Sequence, residues 1–235
     1  MASPSSIAVM SGLALEVAVN RWLKPAFEAA SPYRLEVDWR PTTAIMKSIA
    51  EGQRADVVIA IDGSMDKLCA DRIVRPETRV CLADSILGGG VREGAPKPDV
   101  STVEAFKRAL VGARVAYSRA GASGIYFTGL VERLGIAAEV NARAVAIPMG
   151  FTGEKVASGE ADIAIQQVSE LMSVPGVAVA GPFPSEVQTV STFDAAIFAD
   201  AANADGAAAF MALLASPAAA KAYGDGGLVS RLPHS

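Results

Sequence analysis

The stretch Ala55-Asp56-Val57-Val58-Ile59-Ala60-Ile61 puts apolar side chains on both faces of any strand it forms. A strand that hides both faces belongs in the middle of a sheet with helices on each side, so it is expected to be central and parallel. The flanking sequence supplies the other parts. Residues 7–10 form a short apolar strand. Residues 13–30 have helical spacing, with Leu15, Val19, Trp22, Leu23 and Phe27 on one face. Residues 35–39 alternate like a strand, 44–51 form a helix stopped by Gly52, and 65–71 form another helix. Strand and helix in alternation predict a doubly wound α/β lobe.

A second unit of the same kind follows. Residues 86–91 read as a strand, although Gly88, Gly89 and Gly90 weaken the pattern. An exposed loop, 93–99, leads to a helix at 102–110, with Ser101 as N-cap and Glu104 placed for a capping box. Strands are expected at 115–117, 144–147, 161–165, 177–179 and 193–198, and helices at 152–158, 169–172, 207–214 and 217–223. The expected organisation is two lobes, 1–83 plus 189–235 and 84–188, with hinge crossings near Ala83-Asp84-Ser85 and at 184–189. A ligand cleft would lie between them, beyond the carboxyl ends of the strands.

One connection has chemistry. After the run Val115-Ala116-Tyr117 comes Ser118-Arg119-Ala120-Gly121-Ala122-Ser123-Gly124, and a helical pattern starts at Ile125. The first amides of a helix have no intrahelical acceptor, and the helix dipole favours negative charge there. With Arg119 beside them they suit a small anion. An ordinary strand–helix connection with an incidental arginine would read the same way.

Composition limits the alternatives. Hydrophobic residues make up 51% of the 235, enough for a packed core, and aromatics only 6%, too few for a base-stacking surface. The net charge of −4 disfavours a polyanionic partner such as nucleic acid, so any anion site must be local. Cys69 and Cys81 lack metal-site spacing, and the only histidine is His234, so no metal, no cofactor and no histidine-based triad is expected. The two cysteines are read as buried thiols, with a disulfide open only to an exported protein. The apolar run 7–19 is interrupted by Glu16 and is too short to span a bilayer, so no membrane insertion is expected. It also makes a poor signal peptide. The protein is expected to be periplasmic if a leader has been removed, and cytoplasmic otherwise. A monomer is expected.

Five stretches in order, SIAVMSGLA, TTAIMKSIAEGQRADVVIAIDGSMDKL, GASGIY, GEADIAI and ASPAAAKAYGDGGL, resemble the molybdate-binding type of substrate-binding protein, the type 2 periplasmic binding fold. The resemblance implies an oxyanion held between two lobes by hydroxyls and backbone amides. It places the ligand-binding positions on Ser11, Thr42 beside Thr43, Ser123 followed by Gly124, the Met149-Gly150 turn, and Gln167 where typical members carry a tyrosine. Arg119 is a further departure: a guanidinium fork suits a carboxylate better than a site of neutral donors would. The reading is therefore a small organic acid with two or three carboxylates, in preference to molybdate. Arg40 would be a second cation, unless it only flanks the site. The stretch ADIAIQQVSELMSVPGVAVAGPFPSEVQ, with YSRAGASG before it, is similar to a branch that includes bacterial aconitate isomerases.

Three functions remain open at this point. A solute-binding protein would deliver a small anion to the membrane component of an ABC transporter and needs only donors and lobe closure. An isomerase would move a proton on an unsaturated tricarboxylate and needs a base, for which Asp62, Glu154, Lys155, Glu170 and Tyr117 are the candidates. A ligand-sensing module has no feature in its favour.

Overall fold

The computed structural model describes residues 5–233, so His234 lies outside the described residues. The chain divides into two compact units. The first runs to Asp84 and resumes at Ser191, and the second is Ser85–Val190. The chain crosses between them twice, within strand β4 (Val80–Arg92) and within strand β9 (Val190–Ile197).

In the first unit β1 (Ser5–Ser11) lies parallel to β2 (Tyr33–Trp39) and to β3 (Val57–Ile61). The strand order is β2-β1-β3-β9-β4, and a two-residue strand β10 (Val229–Ser230), missed in the glycine-rich tail, pairs with β4. β3 is central as expected, but it is parallel on one side only, because β9 returns antiparallel against it. A strand buried on both faces reveals its position in a sheet and not the direction of its neighbours.

Strand alternation splits the core. Val57 and Ile59 face a cluster with Leu15, Val19, Leu23, Phe27, Phe210 and Tyr223, while Val58 and Ala60 face Ile45, Ile49, Met65 and Leu68. The first cluster is covered by helical pieces α1 (Glu16–Ala18) and α2 (Lys24–Ala30). The second is covered by α3 (Thr42–Ala50) and α4 (Asp62–Ala70). The expected single helix at 13–30 is helical but not uniform: a 3-10 turn opens it, and a π turn spans Val19–Leu23. Pro25, with no amide hydrogen, stands just beyond that wide turn. Asp56 binds the unit together: its carboxylate accepts from the amides of Ala8 and Asn203, at 2.8 and 2.7 Å.

In the second unit the end of β4 pairs with β7 (Ile163–Gln167) and β8 (Val177–Pro182). β5 (Val115–Ser118) lies parallel to β7 and to β6 (Val145–Ile147). α5 (Val103–Val111), α6 (Ala122–Arg133) and α7 (Ala137–Asn141) supply Phe106, Phe127, Leu130 and Val140 to one face. α8 (Gly153–Ala157) and α9 (Val168–Met172) supply Val156 and Leu171 to the other. The glycines that weakened the β4 pattern have a packing reason. A Cβ at Gly88 would lie 2.8 Å from Val168, and one at Gly90 would lie 2.8 Å from Leu171, so glycine lets α9 close on the strand. The first unit ends with α10 (Ala204–Leu214) and α11 (Pro217–Asp225).

Two local expectations are corrected. Thr102, not Ser101, caps α5, accepting from the Ala105 amide at 3.2 Å; the Ser101 hydroxyl bonds Asp99 instead. The thiols are free, and neither is buried: Cys69 is half-buried and Cys81 is exposed on β4. Cys81 sits near the start of the strand, outside its covered middle.

Candidate functional site

Each unit presents polar groups at the carboxyl ends of its parallel strands. In the first unit Ser11 closes β1, in register with Trp39 and Ile59, and is fully buried. Its hydroxyl donates to the Gly12 carbonyl at 3.2 Å, and the Gly12 amide donates to Ile59 O at 3.0 Å. Thr42 opens α3, which has no side-chain cap. The buried Thr42 hydroxyl stands beside Gly12: a Cβ there would lie 3.6 Å from it. The structure thus brings Ser11 and Thr42 together. Thr43 is exposed on the same turn.

Arg40 is not a second free cation. Its guanidinium is tied to Asp38, to the Ser48 hydroxyl at 2.7 Å and to Gln53 Oε1 at 3.1 Å. The pattern Arg40-Pro41-Thr42 puts it at the right place in the sequence, but the strand and helix on either side supply acceptors that consume its charge.

In the second unit the loop after β5 is built by Ser118, whose hydroxyl accepts from the Gly121 amide at 3.3 Å. α6 then starts at Ala122, three residues earlier than the apolar period indicates, because its first turn is made of small residues. The amides of Gly124 and Ile125 turn back to Gly121 O, leaving those of Ala122 and Ser123 ahead of the first intrahelical acceptor. No acidic residue sits in that first turn. Arg119 donates its backbone amide to Ile147 O at 2.9 Å, and Ala120 donates to Pro148 O at 3.1 Å. These two bonds lay the Arg119 loop along the turn of Met149 and Gly150. The Arg119 side chain is exposed and has no ion pair or hydrogen bond among the described residues. Met149 is exposed, and Gly150 adopts φ 100°, open to glycine without strain.

Gln166 and Gln167 are in β7 itself and not in a following loop. Alternation sends them to opposite faces. Gln166 holds the Gly150–Thr152 turn: its Oε1 accepts from the Thr152 amide and hydroxyl at 2.7 and 2.9 Å, and its Nε2 donates to Gly150 O at 3.1 Å. Ser118 and Gln166 are positioning residues that the sequence reading did not single out. The double glutamine at a strand end was the available cue. Gln167 is buried, and its Oε1 has no partner among the described residues.

The candidate bases separate by environment. Asp62 is exposed and accepts from the Gly63 amide, Glu154 is exposed, Lys155 pairs with Glu160 at 3.0 Å, and the Tyr117 hydroxyl donates to Asn141. Glu170, in the first turn of α9, is buried. Among the described residues no group of histidine, cysteine, aspartate and glutamate is arranged to hold a metal ion.

A family model described as bacterial extracellular solute-binding protein matches residues 7–229. The chain belongs to this solute-binding family. A Pseudomonas protein named aconitate isomerase is 37% identical over 215 residues, covering 88% of this chain and 82% of its own. The periplasmic molybdate-binding protein of Azotobacter vinelandii superposes with a TM-score of 0.77 at 20% identity, covering 97% of this chain and all of that one (100%). The sulfate-binding protein of Mycobacterium tuberculosis gives 0.76 at 16% identity, covering 97% and 88%. At such identities the two superpositions establish the periplasmic binding protein fold for this solute-binding family member. Among the described residues no helix is long and apolar enough to cross a membrane.

Proposed function

We propose that this solute-binding protein takes a small organic acid with two or three carboxylates, held by donors of the loop that joins β5 to α6 in the second unit. Arg119 acts there with the Ala122 and Ser123 amides, Gly124 giving the turn its close approach, while Ser11 and Thr42 are the candidate donors of the first unit. The Met149-Gly150 turn borders the ligand, and Gln167 meets it; Thr43 stands beside Thr42 in the first unit. The observation that carries the reading is Arg119. Arg40, Arg79 and Arg114 are all spent on carboxylates of the protein, whereas Arg119, in the loop that leads into α6, has no ion pair or hydrogen bond from its side chain among the described residues. A planar fork next to free helix amides matches a carboxylate bidentately. Delivery to the membrane component of an ABC transporter is the corresponding role. The test is calorimetry with citrate, tricarballylate, trans-aconitate and molybdate. The reading expects the polycarboxylates to bind and fails if only molybdate does.

A second reading is favoured by the relative named aconitate isomerase. In it the same site moves a proton on an unsaturated tricarboxylate, and Glu170, the buried acid of the candidates, serves as base. Mixing the protein with trans-aconitate and following cis-aconitate by NMR decides between binding and turnover.

A further inference from the structure

We infer that Gln167 selects a ligand that brings an O–H donor beside its carboxylates, either a hydroxyl or a carboxyl bound in its protonated form. The inference rests on the polycarboxylate reading above. Gln167 ends β7 with 3% of its surface exposed, and its Oε1 meets no hydrogen-bond donor among the described residues. Gln166 is the internal control. It has the same chemistry on the same strand, faces the other way and is fully bonded, to Thr152 and Gly150. A buried amide oxygen without a donor costs free energy that packing does not return. Native structures keep few such groups, and each calls for a partner.

The surroundings tell what that partner is. β7 and β5 are neighbours, so Gln167 and Ser118 end on the same edge, where α6 packs against both strands. The loop there carries Arg119 and leads into the first amides of α6, all of them donors. One acceptor among donors fits a ligand made of acceptors that carries one O–H. A fully ionised tetrahedral oxyanion such as molybdate or sulfate has no proton to give and would leave the Gln167 Oε1 unpaired. A hydroxy acid, or a polycarboxylate retaining one proton, would satisfy it.

The experiment compares citrate with tricarballylate, which lacks the hydroxyl, by calorimetry on the full chain at pH 8 and pH 5.5, for the wild type and Gln167→Met. If the donor is a hydroxyl, citrate binds about tenfold tighter than tricarballylate at pH 8, and the ratio falls towards one in the variant. If it is a protonated carboxyl, tricarballylate binds with net proton uptake, and the variant abolishes the uptake. Equal affinities with no proton uptake would overturn the inference while leaving polycarboxylate binding intact. A preference for tricarballylate at pH 8 would also overturn it, because the amide would then be presenting its N–H end. Failure of both acids to bind would sink the reading on which it rests, and the inference with it. Stability of the ligand-free protein is a separate check. Removing an unpaired buried polar atom should hold or raise the melting temperature of Gln167→Met, by about 2–4 °C at most. A clear fall would reveal a structural partner and count against the inference.

Discussion

A Cβ added at Gly124 would lie 1.6 Å from the carbonyl oxygen of Ser118. That contact is with backbone, so no rotamer change relieves it. The close approach lets the third residue past the α6 N-cap turn back over the end of β5. Gly124→Ala should cost at least about 3 kcal/mol or prevent folding, read from urea denaturation. Gly129, in the same helix, is the control. Its Cβ would meet only the end of Arg133, at 3.5 Å. Gly129→Ala should gain about 0.5–1 kcal/mol from helix propensity. Equal effects at the two positions would refute the steric account.

Arg119 and Arg40 should respond in opposite ways. The Arg119 guanidinium makes no bond within the described protein, so Arg119→Ala should leave unfolding within about 0.5 kcal/mol of wild type. It should weaken carboxylate binding by about 1.5–3 kcal/mol, the worth of a charge-assisted bond. Arg40→Ala loses bonds to Asp38, Ser48 and Gln53 and should cost about 1 kcal/mol of stability with affinity kept. Unchanged affinity in Arg119→Ala would place that side chain in solvent and remove the main support for a carboxylate ligand.

The contrast between these arginines marks how far the sequence could be read. The periods that placed Val57–Ile61 and the 13–30 helical run survive in the structure because burial of alternating or helical faces is a property of the chain itself. Direction was not legible. Nothing in Phe193-Asp194-Ala195-Ala196-Ile197 says that it pairs antiparallel with β3. Positions of the candidate residues were legible, since Ser11, Thr42 and Ser123 stand at strand and helix ends. Which cation is spent and which is free depends on partners eight or thirteen residues away, such as Ser48 and Gln53, and no local pattern reports them. The same holds for Gln166 and Gln167, identical in type and opposite in circumstance.

Arg79 and Asp194 form the most buried ion pair among those described. The Asp194 side chain is 4% exposed, and Arg79 also reaches Asp66 at 2.6 Å. Removing the cation strands a buried carboxylate, so Arg79→Ala should cost about 3–5 kcal/mol. Adding Asp194→Leu to that variant should recover part of the loss, since the charge that was stranded is gone. A double mutant less stable than Arg79→Ala would show that Asp194 earns its place through other contacts.

Stability against pH should show two carboxylates acting in opposite senses. Burial pushes the Glu16 carboxyl above its ordinary pKa, and its Oε2 has no partner among the described residues. A group whose folded pKa is raised contributes stability below the unfolded pKa and loses it as pH rises through the folded value. Glu16→Gln should therefore raise the urea midpoint at pH 8 and change little at about pH 4, near the unfolded carboxyl value. Asp162 has the reverse sign. The Arg114 side chain and amide hold its pKa down, through bonds of 2.6 and 2.8 Å. That contribution is present above the unfolded pKa and disappears as pH falls through the lowered one. Asp162→Asn should lower the midpoint at pH 8 and converge on wild type in strong acid. Both side chains keep solvent contact, so the readout is the crossing of the two pH profiles and not the size of either effect. Parallel profiles for Glu16→Gln and wild type would mean that its carboxyl finds a donor in solution, and the desolvation account of that residue would fall.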